Sequence, residues 1–322
     1  MIALAKIGMI QRPRFLALAC IPALTLAIGE LGGARAETVP MPSTEKYLNA
    51  VLPSAPMEAS SGITAIAGEV VDMNGVGLAG VKVAEGASSF ITGADGKFLV
   101  SYAIVGKGVL QIDGRHVGPQ RLDYGLYQVT VRALPGKTTV LPFKNWLPLI
   151  DHSHDVVVPS PTTGPVVIAN PALPGLELHI PAGVVVRDAD GAVVTKLGIT
   201  AMPADKLPVP LLSHFDQGPQ FTIQPGAACL YDSKGGIGTA QVVLPNSAHL
   251  LPKARATFFR YEPDVEGWSP YGMGLVSTDG SQIVPDAATV LTDFASAECD
   301  PKTKSRPNPS TRIPVLQSGR TN

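Results

Sequence analysis

Charge, cysteine and helical patterning are what this sequence has little of. Only 16% of its 322 residues are Asp, Glu, Lys or Arg, against about 25% in an average soluble protein. The formal net charge is −1, so there is no broad basic field for phosphate, which excludes a nucleic-acid partner held by electrostatics. The three cysteines, Cys20, Cys229 and Cys299, are too few for a disulfide-stapled scaffold and lack the paired spacing of a structural zinc site. A Gly-x-Ser-x-Gly elbow and a phosphate-cradling loop are also missing, and Gly235-Gly236-Ile237-Gly238 has no βαβ context, so no catalytic or cofactor-binding residue is assigned. Helix signals reduce to Thr44–Leu52, with Thr44 as N-cap and Pro53 as a stop.

One long apolar run exists, Phe15 to Ile28, shorter than the roughly 20 residues that span a bilayer. Lys6, Arg12 and Arg14 precede it, and Ala34-Arg35-Ala36 follows as a small-x-small site. This is the pattern of a secretory signal, residues 1–36, with cleavage before Glu37. Cys20 lies inside the run without a Leu three positions earlier, which argues against lipidation. Cleavage would remove four basic residues and one acid, moving the net charge from −1 to −4. No transmembrane segment remains after cleavage, so a secreted, periplasmic or cell-surface location is expected. Five cations in the last 22 residues, Lys302, Lys304, Arg306, Arg312 and Arg320, sit in a Pro/Ser/Thr-rich stretch that reads as a disordered basic tail, 300–322. In an oxidising compartment Cys229 and Cys299 are able to pair; the alternative is a buried Cys229 thiol.

Between leader and tail, runs of four to eight residues rich in Val, Ile, Thr and Phe alternate with turns built from the 33 Gly and 30 Pro. The fold class is therefore all-β, with two consecutive antiparallel β-sandwich domains in a secreted chain. A linker with the short helix covers 37–62, the first sandwich 63–145 and the second 146–299, with a Pro/Thr-rich joint at Pro159–Pro165. The first block has a strand entering an Asn74-Gly75 turn, a strand near Leu78–Val83, and a hairpin from Phe90 to Val100 about Asp95-Gly96. Val109–Ile112 and Tyr127–Val131 complete it, with Leu110, Ile112, Val129 and Val131 pointing inward.

Gly68-Glu69-Val70-Val71-Asp72 through Gly80-Val81-Lys82-Val83, with Thr92 to Phe98, resembles the carboxypeptidase regulatory-like domain, a small transthyretin-like sandwich. Leu78 stands where that family often has Pro. The resemblance implies a non-catalytic accessory module. In the second block, Ile180–Gly183, Arg187–Gly191, Phe221–Gly226, Leu244–Asn246 and Tyr261–Trp268 resemble the region that precedes the repeats in RHS (YD-repeat) secreted bacterial proteins. Tyr231-Asp232-Ser233-Lys234-Gly235 is a single match to the repeat itself, so the repeat shell and its toxin do not carry over.

The sharpest chemical cluster is Asp151-His152-Ser153-His154-Asp155. Two His at i and i+2 share a face if the segment is a strand, and would reach a metal with a carboxylate on either side; the plainer reading is a polar turn between domains. Asp188-Ala189-Asp190-Gly191 starts like a calcium loop but reads as a tight turn. Glu262, Asp264 and Glu266 beside Trp268 have the types used in glycoside hydrolysis, with turn acids as the plainer reading. Tyr261, Trp268 and Tyr271 are candidate ligand-binding residues if exposed as a stacking platform. The resulting expectation is a non-enzymatic secreted module, without a cofactor, that binds a cell-envelope or extracellular component, a glycan, or a separately encoded RHS-type protein. Two further readings stand beside it, a carbohydrate-binding module and a metal-dependent hydrolase using His152 and His154.

Overall fold

The structure, a computed structural model, describes residues 3–6, 53–211, 218–263 and 267–294. The Thr44–Leu52 helix, the leader beyond residue 6, Cys20, Cys299 and the basic tail lie outside the described residues, as do Asp264 and Glu266. After β1 (Ala3–Lys6), the first block contains β2 (Ala65–Val71), β3 (Lys82–Glu85), β4 (Ser88–Ile91), β5 (Lys97–Ser101), β6 (Gly106–Asp113), β7 (Leu126–Ala133), β8 (Thr138–Val140) and β9 (Asn145–Trp146). One sheet runs β5-β2-β8, with β9 also on β2; the other runs β4-β3-β6-β7. They enclose a core that includes Ile66, Val70, Phe98, Leu110, Ile112 and Val129. Every residue of β2 is buried, because this strand is central in its sheet and covered on both faces. Its Glu69 is neutralised by Lys144 Nζ at 2.9 Å. At Gly68 a Cβ would meet the Phe98 ring at 2.5 Å, so only glycine fits.

The expected hairpin from Phe90 to Val100 does not form. β4 pairs with β3 and β5 pairs with β2, in different sheets. The reason is a corner locked by tight backbone contact: a Cβ at Gly96 would lie 2.1 Å from the Val70 carbonyl, and one at Gly77 would lie 2.3 Å from Asp95. The buried Thr92 hydroxyl donates to Leu78 O and accepts from Val81 N, at 2.5 and 2.9 Å. The Asp95-Gly96 turn thus passes the chain from one sheet to the other.

Three turns share one construction. Asp72, Asp188 and Asp232 each accept from the backbone N–H two and four residues on, at 2.8–3.0 Å, while their carbonyl accepts from the Gly three residues on. Gly75, Gly191 and Gly235 hold φ of +83, +82 and +85°, where a side chain is disfavoured. Oδ1 of Asp188 is therefore taken up by its own backbone, in line with the tight-turn reading. The Tyr231–Gly235 match is the same local device.

The second block comprises β10 (Val156–Val157), β11 (Val166–Ala169), β12 (Glu177–Ile180), β13 (Val184–Arg187), β14 (Lys196–Met202), β15 (Gln220–Gln224), β16 (Cys229–Asp232), β17 (Gln241–Pro245), β18 (Arg255–Glu262), β19 (Gly267–Val276) and β20 (Gln282–Pro285). A seven-stranded sheet, β1-β18-β19-β20-β17-β12-β11, faces the smaller β10-β14-β15 and β13-β16 sheets across a core containing Ile168, Leu178, Phe221, Leu230, Phe258 and Phe294. The joint is part of this block: buried Thr162 donates through its hydroxyl to Pro181 O and accepts from Val184 N, at 2.7 and 2.8 Å.

The two cores are not separate in sequence. Met202, Leu207, Val209, Leu211 and Tyr261 belong to the first core. Alternation explains the last: Ala256 and Phe258 face the second core while Phe259 and Tyr261, on the opposite side of β18, face the first. A bulge between Phe258 and Phe259 strengthens the local twist at that crossover. Polar contacts add to this, with Lys206 Nζ donating to Met73 O at 2.9 Å, Asn145 Nδ2 to Pro208 O at 2.8 Å, and Arg115 joining Asp113 to Asp190 at 2.8 and 3.0 Å.

Candidate functional site

The cluster at 151–155 sits where the blocks meet. His152–His154 form a single 3-10 turn, not a strand. At three residues per turn, positions i and i+2 point apart, so the shared face on which a His-x-His metal pair depends is lost. Asp151 caps the turn, accepting from Ser153 N at 2.9 Å, from the Ser153 hydroxyl, and from Asn170 Nδ2 at 3.3 Å, with His154 Nδ1 at 3.0 Å. These bonds, Ser153 first and His154 next, hold its carboxyl well below the usual carboxylate range. Asp155 packs against Gly198, where a Cβ would lie 2.2 Å from Oδ1.

His152 is held by two carboxylates, Asp155 on Nδ1 at 2.9 Å and Asp123 on Nε2 at 3.3 Å. Asp123 comes from the first block, so the ring bridges the joint. Both contacts are hydrogen bonds only if both nitrogens carry protons. Partial burial works against the charged ring, yet Asp155 and then Asp123 raise its pKa above the ordinary histidine value. His154 meets both Asp151 and the Ser153 hydroxyl through Nδ1, at 3.0 and 2.8 Å. A Ser-His-Asp relay instead needs the acid and the hydroxyl on opposite ring nitrogens. Among the described residues no three His, Cys, Asp or Glu side chains gather as a metal site would require. The chemistry open to this cluster is charge-assisted bridging. Beside it lies a shallow groove of about 440 Å³ whose lining includes His154, Asp155, Asn170, Leu173, Pro174 and Glu177.

The aromatic candidates are structural. Tyr261 is 5% exposed, its hydroxyl accepting from Thr130 N at 3.0 Å. Trp268 meets it edge-on, with ring centroids 5.8 Å apart, and donates through Nε1 to Pro210 O at 2.9 Å. Tyr271 packs edge-on against Phe258, and burial pushes its phenol up. The three do not form an exposed platform, because Tyr261 and Trp268 serve the first core and Tyr271 the second. Glu262 is tied to Arg260 and accepts from the Ser269 hydroxyl at 2.8 Å. Sequence reasoning missed Asp123, twenty-eight residues from the nearest cluster member; only the topology brings it to His152.

Cys229 is disulfide-bonded, so the buried-thiol alternative does not hold. No family model matches the chain, and no curated protein matches it. Solved structures similar to it include a DUF3823 family protein from Parabacteroides merdae at 11% identity, covering 72% of this chain and 98% of that one, TM-score 0.19. Fervidolysin from Fervidobacterium pennivorans, a keratinolytic enzyme related to subtilisin, has 14% identity over 73% of this chain and 34% of that one, TM-score 0.19. A "putative carbohydrate binding protein" from Bacteroides uniformis has 11% identity, over 66% of this chain and 98% of that one, TM-score 0.15. At these scores the likenesses carry no argument about activity.

Proposed function

We propose that this protein is exported and acts as a non-catalytic β-sandwich module that binds a component of the cell envelope or extracellular space. The observation that carries export is the disulfide at Cys229, since such bonds persist in oxidising compartments and are rare in the cytosol. The leader pattern of residues 1–36 agrees with it; its cleavage removes β1 and leaves β18 at the edge of the remaining six strands of that sheet. Among the described residues no helix is long and apolar enough to cross a membrane. The binding role is supported by how the chemistry-bearing side chains are spent. Both nitrogens of His152 and the facing edge of His154 are engaged by neighbouring acids, which favours a structural joint over hydrolysis. A finer reading, drawn from the sequence resemblances, is an accessory to a separately encoded RHS-type protein.

The test uses the full-length chain expressed with its leader. Intact mass of exported protein is expected to begin at Glu37, and immobilised mature protein is expected to capture an envelope or extracellular component, equally well when residues 301–322 are deleted. Retention of the leader, or turnover of any ester, peptide or glycoside by pure protein that is lost on a point mutation, overturns the proposal.

A further inference from the structure

The first block ends at one pole in an apolar tip. On the β5–β6 connection Tyr102, Ile104 and Val105 are 76, 57 and 58% exposed, and Leu134 after β7 is 45% exposed. Val105 bridges to Ala133, so the two connections form one patch. Tyr102 holds φ +62°, an uncommon conformation for a bulky residue that persists only when its surroundings impose it.

The backbone beneath the tip is satisfied from within. Ala103 N donates to Thr64 O at 3.1 Å, Leu134 N to Thr139 Oγ1 at 3.0 Å and Gly136 N to Thr64 Oγ1 at 2.9 Å. Ile104 N donates at 2.9 Å to the carboxylate of buried Glu85. Hydrocarbon offers no partner to an N–H, so a segment that enters it must bring its own. Tyrosine suits the headgroup boundary, with an apolar ring and a polar end. Lys107 and Arg132, opposite one another on β6 and β7, and Lys137 beyond Leu134 are exposed around the patch. Among the described residues an exposed acid on this side is Glu58, next to Ala59, whose N–H donates to Thr138 Oγ1 at 2.9 Å.

We propose that this tip is a lipid-docking surface: Tyr102, Ile104, Val105 and Leu134 enter the interfacial layer of a bilayer with anionic headgroups, and Lys107, Arg132 and Lys137 lie at headgroup level. This deepens the binding-module reading by naming the occupant, and rests on it only in that the mature chain must reach an envelope membrane.

The experiment is co-sedimentation of mature protein with vesicles of phosphatidylcholine alone and with about one quarter phosphatidylglycerol. Wild type is expected to bind the anionic vesicles. Tyr102→Ser with Ile104→Ser is expected to weaken binding at least ~10-fold with an unchanged circular dichroism spectrum. Lys137→Glu is expected to weaken it about fivefold or more, on anionic vesicles only. Tyr102→Gly separates strain from contact: it relieves the left-handed backbone, so Tm is expected to rise while vesicle binding falls. Equal binding by the double variant, or no vesicle binding by wild type, overturns the proposal. If wild type ignores vesicles while Tyr102→Ser loses capture of a soluble envelope protein, the tip is a protein-docking patch, the lipid inference fails and the binding-module reading stands.

Discussion

Tyr261 ties the second half of the chain into the core of the first, and two substitutions weigh that tie. Tyr261→Phe keeps the ring and removes the hydroxyl that accepts from Thr130 N at 3.0 Å. The orphaned N–H is only part-buried, so the cost belongs at the low end of the range for a lost partner, about 1 kcal/mol. Tyr261→Ala also deletes a ring that is 5% exposed and meets Trp268 edge-on; emptying such a site costs about 3–5 kcal/mol. For a fold of this size 1 kcal/mol shifts Tm by roughly 2–4 °C, so the Ala variant should melt roughly 6–20 °C below wild type and the Phe variant only a few degrees below. Amide hydrogen exchange read alongside calorimetry locates the effect. Protection should fall at Leu110, Ile112, Val129 and Val131, all of them core residues of the first block. If Tyr261→Ala leaves protection throughout 65–147 at the wild-type level, the two halves do not share a core and the reasoning is wrong.

The His152 bridge predicts a signed pH dependence. Its folded-state pKa is raised, so its contribution to stability is complete below the ordinary imidazole value of about 6.5 and is lost as pH rises through the raised value. The stability gap between wild type and His152→Ala, read from urea midpoints, should therefore narrow with rising pH; a gap that widens would contradict the bridge. Gly226→Ala places a Cβ 2.2 Å from the Leu126 carbonyl, and since both partners are backbone the blocks must move apart, lowering Tm by several degrees, whereas Gly164→Ala, with open space around it, should be neutral. Peptide mapping under non-reducing conditions is expected to join Cys229 to Cys299, because Asp293, six residues before Cys299, already bridges Cys229. Reduction would then release a 70-residue closure worth about 4 kcal/mol in the chain-entropy model; finding Cys20 in that peptide would refute the assignment.

Period-two alternation and turn chemistry are local, and they were legible in the sequence. Leu110, Ile112, Val129 and Val131 point inward as their spacing requires, and each Asp-x-x-Gly turn is built from atoms within five residues. The all-β class follows from such signals, since a run of alternating Val, Ile and Thr between Gly and Asn or Asp has few other uses. Which strands pair is not local. The Phe90–Val100 segment has the composition of a hairpin, yet the contacts of Gly77 and Gly96 with distant backbone send its two arms to different sheets.

The candidate site divides in the same way. Chain order alone puts two histidines and two aspartates within five residues, 151–155. It could not determine that the segment would close into a 3-10 turn, nor that Asp123 would arrive from the first block to take the second nitrogen of His152. Likewise Tyr261 and Trp268 are as consistent with an exposed platform as with a core until β18 is seen to offer one face to each block. A side chain's role depends on which surface covers it, and coverage is set by contacts between residues far apart in the chain, whose loop-closure cost only the assembled fold recovers.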